Sequence, residues 1–367
     1  MTPRYTDLVA GLPATVPFVG PEAQQRASGR AFRARLGANE SVFGPSPKAV
    51  QAMADATSEA WMYGDSENHD LRAALAAHHA VAPENIIVGE GIDGLLGNLV
   101  RMLVAPGDTV VTSAGAYPTF NYHILGFGGR LVPVPFNGDH EDPEALLTAA
   151  PGAKLLYLSN PDNPMASWHP AATIEAMLDR IPDGCLMVLD EAYADFAPEE
   201  AIPTIDAGDP RVIRMRTFSK AHGLAGARVG YAIAAPGLIA AFDKIRNHFG
   251  MTRMSQAGAL AALQDNDWLA QVVAQVAEGR ARLGRIAADN GLRALPSATN
   301  FVAIECGRDG DFARAVLRGL IARDVFVRMP GVAPLDRCIR VSVGRPQDLD
   351  VFAEVLPQAL DAAITGT

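Results

Sequence analysis

Three short stretches of the chain set reactive side chains directly after runs of strand length. Ser159–Pro164 (SNPDNP) follows LLYL, Leu189–Tyr193 (LDEAY) follows CLMV, and Thr217–Tyr231 (TFSKAHGLAGARVGY) follows VIRMR. Together they offer an amine at Lys220, a carboxyl at Asp190, a phenol at Tyr193 and a guanidinium at Arg228. Taken singly, each has an ordinary reading: Asn-Pro pairs mark turns, an Asp after a strand caps a helix, and a loop lysine is solvated. A fourth motif lies upstream. GEGIDG places Gly89, Gly91 and Gly94 as GxGxxG after Ile86–Val88. Such glycines permit a tight turn and bring a phosphate close to the free amides of a helix N-terminus. A dinucleotide unit would end its next strand in an acid that holds the ribose. Here TVVTS runs into Ala114 and Gly115, and Asp108 stands before the strand. The motif is read as a helix start suited to one phosphate. A plain Gly-rich turn and a nicotinamide dehydrogenase are the rival readings.

The elements that must position these groups follow from periodicity. Strands are predicted at Ile86–Val88, Thr109–Thr112, Leu131–Val134, Leu155–Leu158, Leu186–Leu189, Val212–Phe218 and Val229–Ala232, with helical stretches between several of them. Continuous apolar strands alternating with helices predict an α/β fold, a mostly parallel sheet with helices on both faces. Its ligands bind at the carboxyl ends of the strands. After Ala257 a long amphipathic helix spans Asp267–Asn290. Strands at Phe301–Glu305, Val325–Arg328 and Ile339–Val343 and a helix at Phe312–Ala322 then predict a smaller α+β domain. Residues 1–35 read as an irregular arm, 61–256 as the large domain, and 36–60 with 257–367 as the small one.

Composition narrows the function classes. The 367 residues are 49% apolar and 20% charged, which excludes disorder and leaves room for a large core. A net charge of −10 predicts neither nucleic acid nor a membrane surface as partner. Cys185, Cys306 and Cys338 form no CxxC pair, so no metal is predicted and a reducing compartment fits. The N-terminal stretch lacks a basic start followed by an apolar run, and no run approaches the roughly 20 residues of a membrane span. A cytoplasmic protein is expected.

In combination these motifs carry a resemblance. LGANESVFGPSP (36–47), YGDSENHDLR (63–72), GEGIDG, NPDNP, DEAY, SKAHGLAGARVGY and IRVSVG (339–344) stand in one order over residues 36–345. In that order they resemble pyridoxal-phosphate enzymes of the aspartate-aminotransferase fold, and within it the histidinol-phosphate aminotransferase branch. The resemblance implies a seven-stranded sheet in the large domain and pyridoxal 5'-phosphate as cofactor. It implies Lys220 as the tethering amine and proton carrier, Asp190 beside the ring nitrogen, and Asn163 and Tyr193 at the phenolic oxygen. Phe120 would stack on the ring. The amides of Gly91 and Ile92, the Ser219 hydroxyl and the Arg228 fork would hold the phosphate. Tyr63 would reach the partner's cofactor phosphate, which implies a homodimer with shared sites. Asn39, Arg340 and Arg328 would contact substrate, Arg328 chiefly a phosphorylated one.

The implied reaction exchanges an amino group between histidinol phosphate or imidazole acetol phosphate and glutamate or 2-oxoglutarate, an amino-acid and keto-acid pair. The alternatives are an aromatic or other amino-acid aminotransferase, and a lyase or decarboxylase of the same fold. Four stretches depart from the family pattern. Ile92-Asp93-Gly94 stands for Ser-Asp-Glu, Asn163-Pro164-Met165-Ala166 for Asn-Pro-Thr-Gly, and Tyr63-Gly64 for Tyr-Pro. Asn247–Arg253 replaces a Pro-Tyr-Asn stretch and adds Arg253 as a further candidate for the substrate anion. His222 is read as a packing residue, and Met251 and Met254 as core or pocket lining.

Overall fold

The computed structural model describes residues 3–14 and 18–366. Its centre is a seven-stranded sheet whose spatial order is Ile86–Gly89, Gly230–Ala234, Val212–Thr217, Leu186–Asp190, Leu155–Ser159, Thr109–Ser113, Arg130–Val134. Gly230–Ala234 alone runs antiparallel to its neighbours, so the expected mostly parallel α/β sheet is present. The unbroken apolar runs have a simple cause. Leu155, Tyr157, Leu186 and Val188 point into one core with the helices Gly91–Leu103 and Pro118–Gly126. Leu156, Leu158, Met187 and Leu189 point into another with the helices Pro143–Ala149 and Ala171–Leu178. Strands buried on both faces lose the polar alternation of a half-exposed sheet.

The smaller unit is built on a three-stranded antiparallel sheet of Arg293–Ala294, Phe301–Glu305 and Cys338–Ser342. The helices Asn266–Asp289, Gly310–Ala322 and Pro346–Thr365 close its core. Ala34–Arg35 pairs in parallel with Val325–Phe326 beside it. The predicted strand through Arg328 stops at Phe326, and Arg328 instead bridges Arg340. The stretch read as an arm contains two short helices, Asp7–Gly11 and Pro21–Ser28. Thr6 caps the first through the Val9 amide, and Pro21 opens the second.

Segment 36–60 divides between the two cores. Leu36 packs in the smaller unit, whereas Ala49, on the helix Pro47–Ala56, packs in the cluster that holds Val88, Phe218 and Tyr231. The chain therefore crosses from one core to the other between residues 36 and 47, and Asn39 stands in that crossing. No helix among the described residues is long and apolar enough to cross a membrane.

Candidate active site

The groups singled out in the sequence gather where the parallel strands end. Asp190 is the last residue of its strand and is buried. Its Oδ2 accepts the Tyr157 hydroxyl at 2.5 Å and its Oδ1 the Ala192 amide at 2.9 Å. Burial raises the Asp190 carboxyl above its ordinary value, while the Tyr157 bond, the Ala192 amide and the nearby Lys220 pull it back. An ionised Asp190 in this setting calls for a cation.

Lys220 follows the Val212–Thr217 strand. Its Nζ donates to the Asn39 carbonyl at 3.1 Å and lies 5.6 Å from the centre of the Tyr193 ring. Desolvation first, then the charge of Arg340, lowers its pKa to about 8. Glu40 and Asp190 raise it and Arg228 lowers it, so groups from several stretches of the chain share one field. Burial and the neighbouring positive charge thus favour the neutral amine, the form that can act as a base.

The phosphate-ready helix start is present. The helix Gly91–Leu103 begins with Gly91 at φ +76°, and Glu90 makes no side-chain cap to its first amides. A Cβ on Gly91 would fall 2.5 Å from Arg228 Nη2, so only glycine lets the guanidinium lie against the helix start. Arg228 Nη1 donates to the Ala225 carbonyl at 2.9 Å and reaches Ser219 Oγ at 3.5 Å. Thr217 Oγ1 donates to Ser219 Oγ at 3.0 Å, which orients that hydroxyl.

On the other side stand two arginines. The Arg328 and Arg340 backbones exchange N–H···O bonds of 3.2 and 2.6 Å, which brings their side chains to one place. Arg340 Nη1 donates to Asn163 Oδ1, and its Nε is buried without a protein partner. Burial and Arg340 together push the Arg328 pKa down to about 10. The Arg328 guanidinium lies 3.5 Å from the Phe18 ring centre, and its Nη2 donates to the Val19 carbonyl at 2.6 Å. Asn39, at φ +55°, ties the parts together: its Nδ2 donates to Tyr193 Oη at 3.0 Å, and its Oδ1 accepts from Ser342 Oγ at 3.0 Å.

Some predicted residues lie elsewhere. Phe120 is wholly enclosed, stacked on Tyr157 at 4.7 Å within the core. The half-buried aromatic at that edge is Tyr117, whose phenol feels Asp93, Asp190 and Arg228. Arg253 pairs with Glu59 at 3.1 Å beside a surface cavity of about 270 Å³, also lined by Asp65 and Gln256. Tyr63 is 77% exposed and its ring lies tilted against that of Phe249, 4.7 Å between centres. His222 packs against Phe218 at 4.7 Å. Tyr157, Asn300 and Ser342 were not singled out in the sequence, although each holds a site group. A lone phenol inside the aliphatic run LLYL was the available signal for Tyr157.

Known proteins are similar to this chain in sequence and fold. Histidinol-phosphate aminotransferase of Moorella thermoacetica is 32% identical over 98% of this chain and 93% of its own length. Histidinol-phosphate aminotransferase 2 of Caulobacter vibrioides is 35% identical, over 92% of this chain and 89% of its own. The crystal structure of the Sinorhizobium meliloti histidinol-phosphate aminotransferase, in complex with pyridoxal-5'-phosphate, is 53% identical. It superposes with a TM-score of 0.95 over 99% of both chains. An aspartate aminotransferase of Thermus thermophilus shares the fold at a TM-score of 0.83 and 23% identity, over 98% of this chain and all of its own. The family model for aminotransferase class I and II matches residues 34–356, and the chain belongs to that family.

Proposed function

We propose that this chain is a pyridoxal-phosphate-dependent aminotransferase that exchanges an amino group between histidinol phosphate, or imidazole acetol phosphate, and glutamate or 2-oxoglutarate. The carrying observation is one field that holds a lysine amine of lowered pKa, a buried carboxyl, a glycine-permitted guanidinium cradle and a fixed arginine. The similarity to histidinol-phosphate aminotransferases over almost the whole chain supports the substrate.

The residues present fit the cofactor. Gly91 leaves the room that Arg228 fills, and Ser219 and the first-turn amides add neutral donors for a phosphate. Asp190 would hold a proton on the ring nitrogen, with Tyr157 fixing its carboxylate. Tyr193 and Asn163 would orient the phenolic oxygen, and Lys220 would tether the carbonyl carbon. When bound, pyridoxal phosphate supplies an electron-withdrawing ring that stabilises negative charge at the substrate carbon. Lys220 moves the proton at that carbon, a role worth typically ~10²–10⁴ in rate for a positioned acid–base. Arg340, with its buried Nε unpartnered, receives the substrate carboxylate, and Arg328 beside it suits a second anion such as a phosphate.

The direct test adds amines singly to the cofactor-loaded protein and follows its visible spectrum. Histidinol phosphate and glutamate should each convert the spectrum without a keto acid present. Release of carbon dioxide or an elimination product instead would favour the decarboxylase or lyase reading.

Asp190→Asn should leave the cofactor bound through its phosphate yet lower kcat by about 10²–10³, the usual cost of one preorganised electrostatic partner. Near-normal turnover at full occupancy would remove Asp190 from the ring nitrogen. A homodimer with shared sites forms the rest of the proposal, since Tyr63 and Phe249 are exposed and no hydrogen bond or ion pair among the described residues joins Tyr63 to Lys220 or Arg340. Light scattering should then report a dimer, and Tyr63→Phe should modestly weaken cofactor retention on dialysis. An active monomer would contradict the shared site.

A further inference from the structure

Next to Asp190 stands a buried charge that the reaction described so far does not use. Glu191 is 2% exposed, and its carboxylate meets two guanidinium groups. Arg214 donates through Nε to both oxygens, at 3.2 and 3.1 Å, and through Nη2 to Oε1 at 2.8 Å. Arg216 donates through Nε to Oε2 at 2.9 Å. The two arginine side chains are only 13% and 14% exposed, so water is a poor substitute for the carboxylate. Burial opposes a charge on Glu191, yet Arg216 and Arg214 hold its carboxyl below its ordinary value. Replacing a buried ion cluster by apolar side chains is often neutral for stability. Stability alone is therefore no reason for this one.

Its place in the sheet supplies one. The strand Leu186–Asp190 pairs with Val212–Thr217 as far as Asp190 and Met215, and there their register ends. The second strand runs on to Thr217, paired with Gly230 on its other side. Glu191 takes over where the ladder stops. Its amide donates to the Met215 carbonyl at 2.8 Å, and its carboxylate grips the residues on both sides of Met215. One residue before Glu191 is the Asp190 carboxyl, and four residues after Arg216 is Lys220. The turn between is tied by the Ser219 amide, which donates to Thr217 Oγ1 at 3.1 Å. On the opposite side Asp190 is held by the Tyr157 hydroxyl and by the Asn160 amide, which donates to its carbonyl at 2.9 Å.

We propose that Glu191, through Arg214 and Arg216, is a positioning residue that sets where the Asp190 carboxylate stands relative to Lys220. The proposal rests on Asp190 being the partner of the cofactor's ring nitrogen. One end of the ring system then answers to Asp190 and the other to Lys220, and the two residues come from different strands. A ladder left to itself frays at its end. A misplacement of about 1 Å at a reacting group costs on the order of 10²-fold in rate. Glu191 removes that freedom, because it shares backbone with Asp190 and its carboxylate holds the strand that leads to Lys220.

The test compares Glu191→Gln, which removes the charge and keeps the shape, with a triple variant, Glu191→Leu with Arg214→Met and Arg216→Met, which replaces the cluster by apolar packing. Both are loaded with pyridoxal phosphate labelled with nitrogen-15 in the ring, and every readout is taken per bound cofactor. In Glu191→Gln, kcat should fall by about 10²-fold with the KM for glutamate unchanged. The ring-nitrogen resonance should move toward that of unprotonated pyridine, and the Tm of the apoprotein should drop. In the triple variant the Tm should return while kcat and the resonance stay displaced. Recovery of all three there, or a normal kcat and resonance in Glu191→Gln, would leave the cluster a matter of stability and overturn the proposal. Each variant is decisive alone if the other does not fold. The unaltered apoprotein offers a check that needs no variant. The Glu191 amide should exchange its hydrogen as slowly as that of Leu189, and exchange as fast as at a frayed end would overturn the clamp. Asp190→Asn separates the two readings: if it leaves the resonance in place, Asp190 is not at the ring nitrogen and the functional reading fails. If it moves the resonance while Glu191→Gln does not, the role of Glu191 alone is wrong.

Discussion

Lys220→Ala is expected to abolish transamination and to remove the visible absorption of lysine-linked cofactor, with the far-ultraviolet circular dichroism unchanged. Two losses combine. The tether to the cofactor's carbonyl carbon goes, and so does the amine that moves a proton at the substrate carbon. No described residue can replace it: the neighbouring cations, Arg228 and Arg340, are guanidinium groups, which stay protonated and make poor bases. The fold should tolerate the change, because burial already works against the ammonium form and brings its pKa to about 8. A band that survived dialysis of the Lys220→Ala protein would show that another group carries the cofactor.

Arg340→Ala is expected to lower kcat/KM for every anionic substrate by about 2–5 kcal/mol, the cost of truncating one partner of a desolvated ion pair. A surface salt bridge would be worth only about 0–1 kcal/mol and would leave the kinetics alone. The geometry favours the larger figure. Arg340 is drawn toward Asn163 and the Gly37 carbonyl rather than toward a carboxylate, and its Nε has no partner. Arg328→Ala should penalise histidinol phosphate more than glutamate. Arg253→Ala should change neither, because its Nη1 pairs with Glu59 beside a separate surface cavity that neither Lys220 nor Arg340 lines. Kinetics of the three variants with both substrates decide the matter. A collapse in Arg253→Ala beside an unchanged Arg340→Ala would reverse the assignment.

Much of the fold could be read from the sequence because doubly buried strands announce themselves as unbroken apolar runs. Asp190 was legible for a related reason, as a polar residue where such a run stops, whereas Lys220 follows a strand broken by Arg214 and Arg216 and was legible only through its motif. Residues that act through register were not. Glu141 accepts the Ser159 amide across an intervening helix and strand, and no spacing in the sequence announces that bond. Tyr157 reads as one more core residue until Asp190 stands on the adjacent strand. Phe120 and Tyr117 are three residues apart at the start of one helix, and the pattern in YPTF does not say which ring is enclosed. Segment 36–60 has no composition shift where it passes from one core to the other, so its division was invisible.

The bonds at Asn39 bear on how the protein is made. Its partners, Tyr193, Lys220, Asn300 and Ser342, lie 154, 181, 261 and 303 positions further along the chain. Closing loops of that length costs entropy before any bond repays it, and contacts of such separation form late in folding. During synthesis the segment carrying Lys220 emerges well before Asn300 and Ser342, so the lysine is exposed for a time without its full set of neighbours. The site is complete only after nearly the whole chain has left the ribosome, and a chain truncated before Ser342 lacks the residue that holds the Asn39 side chain in place.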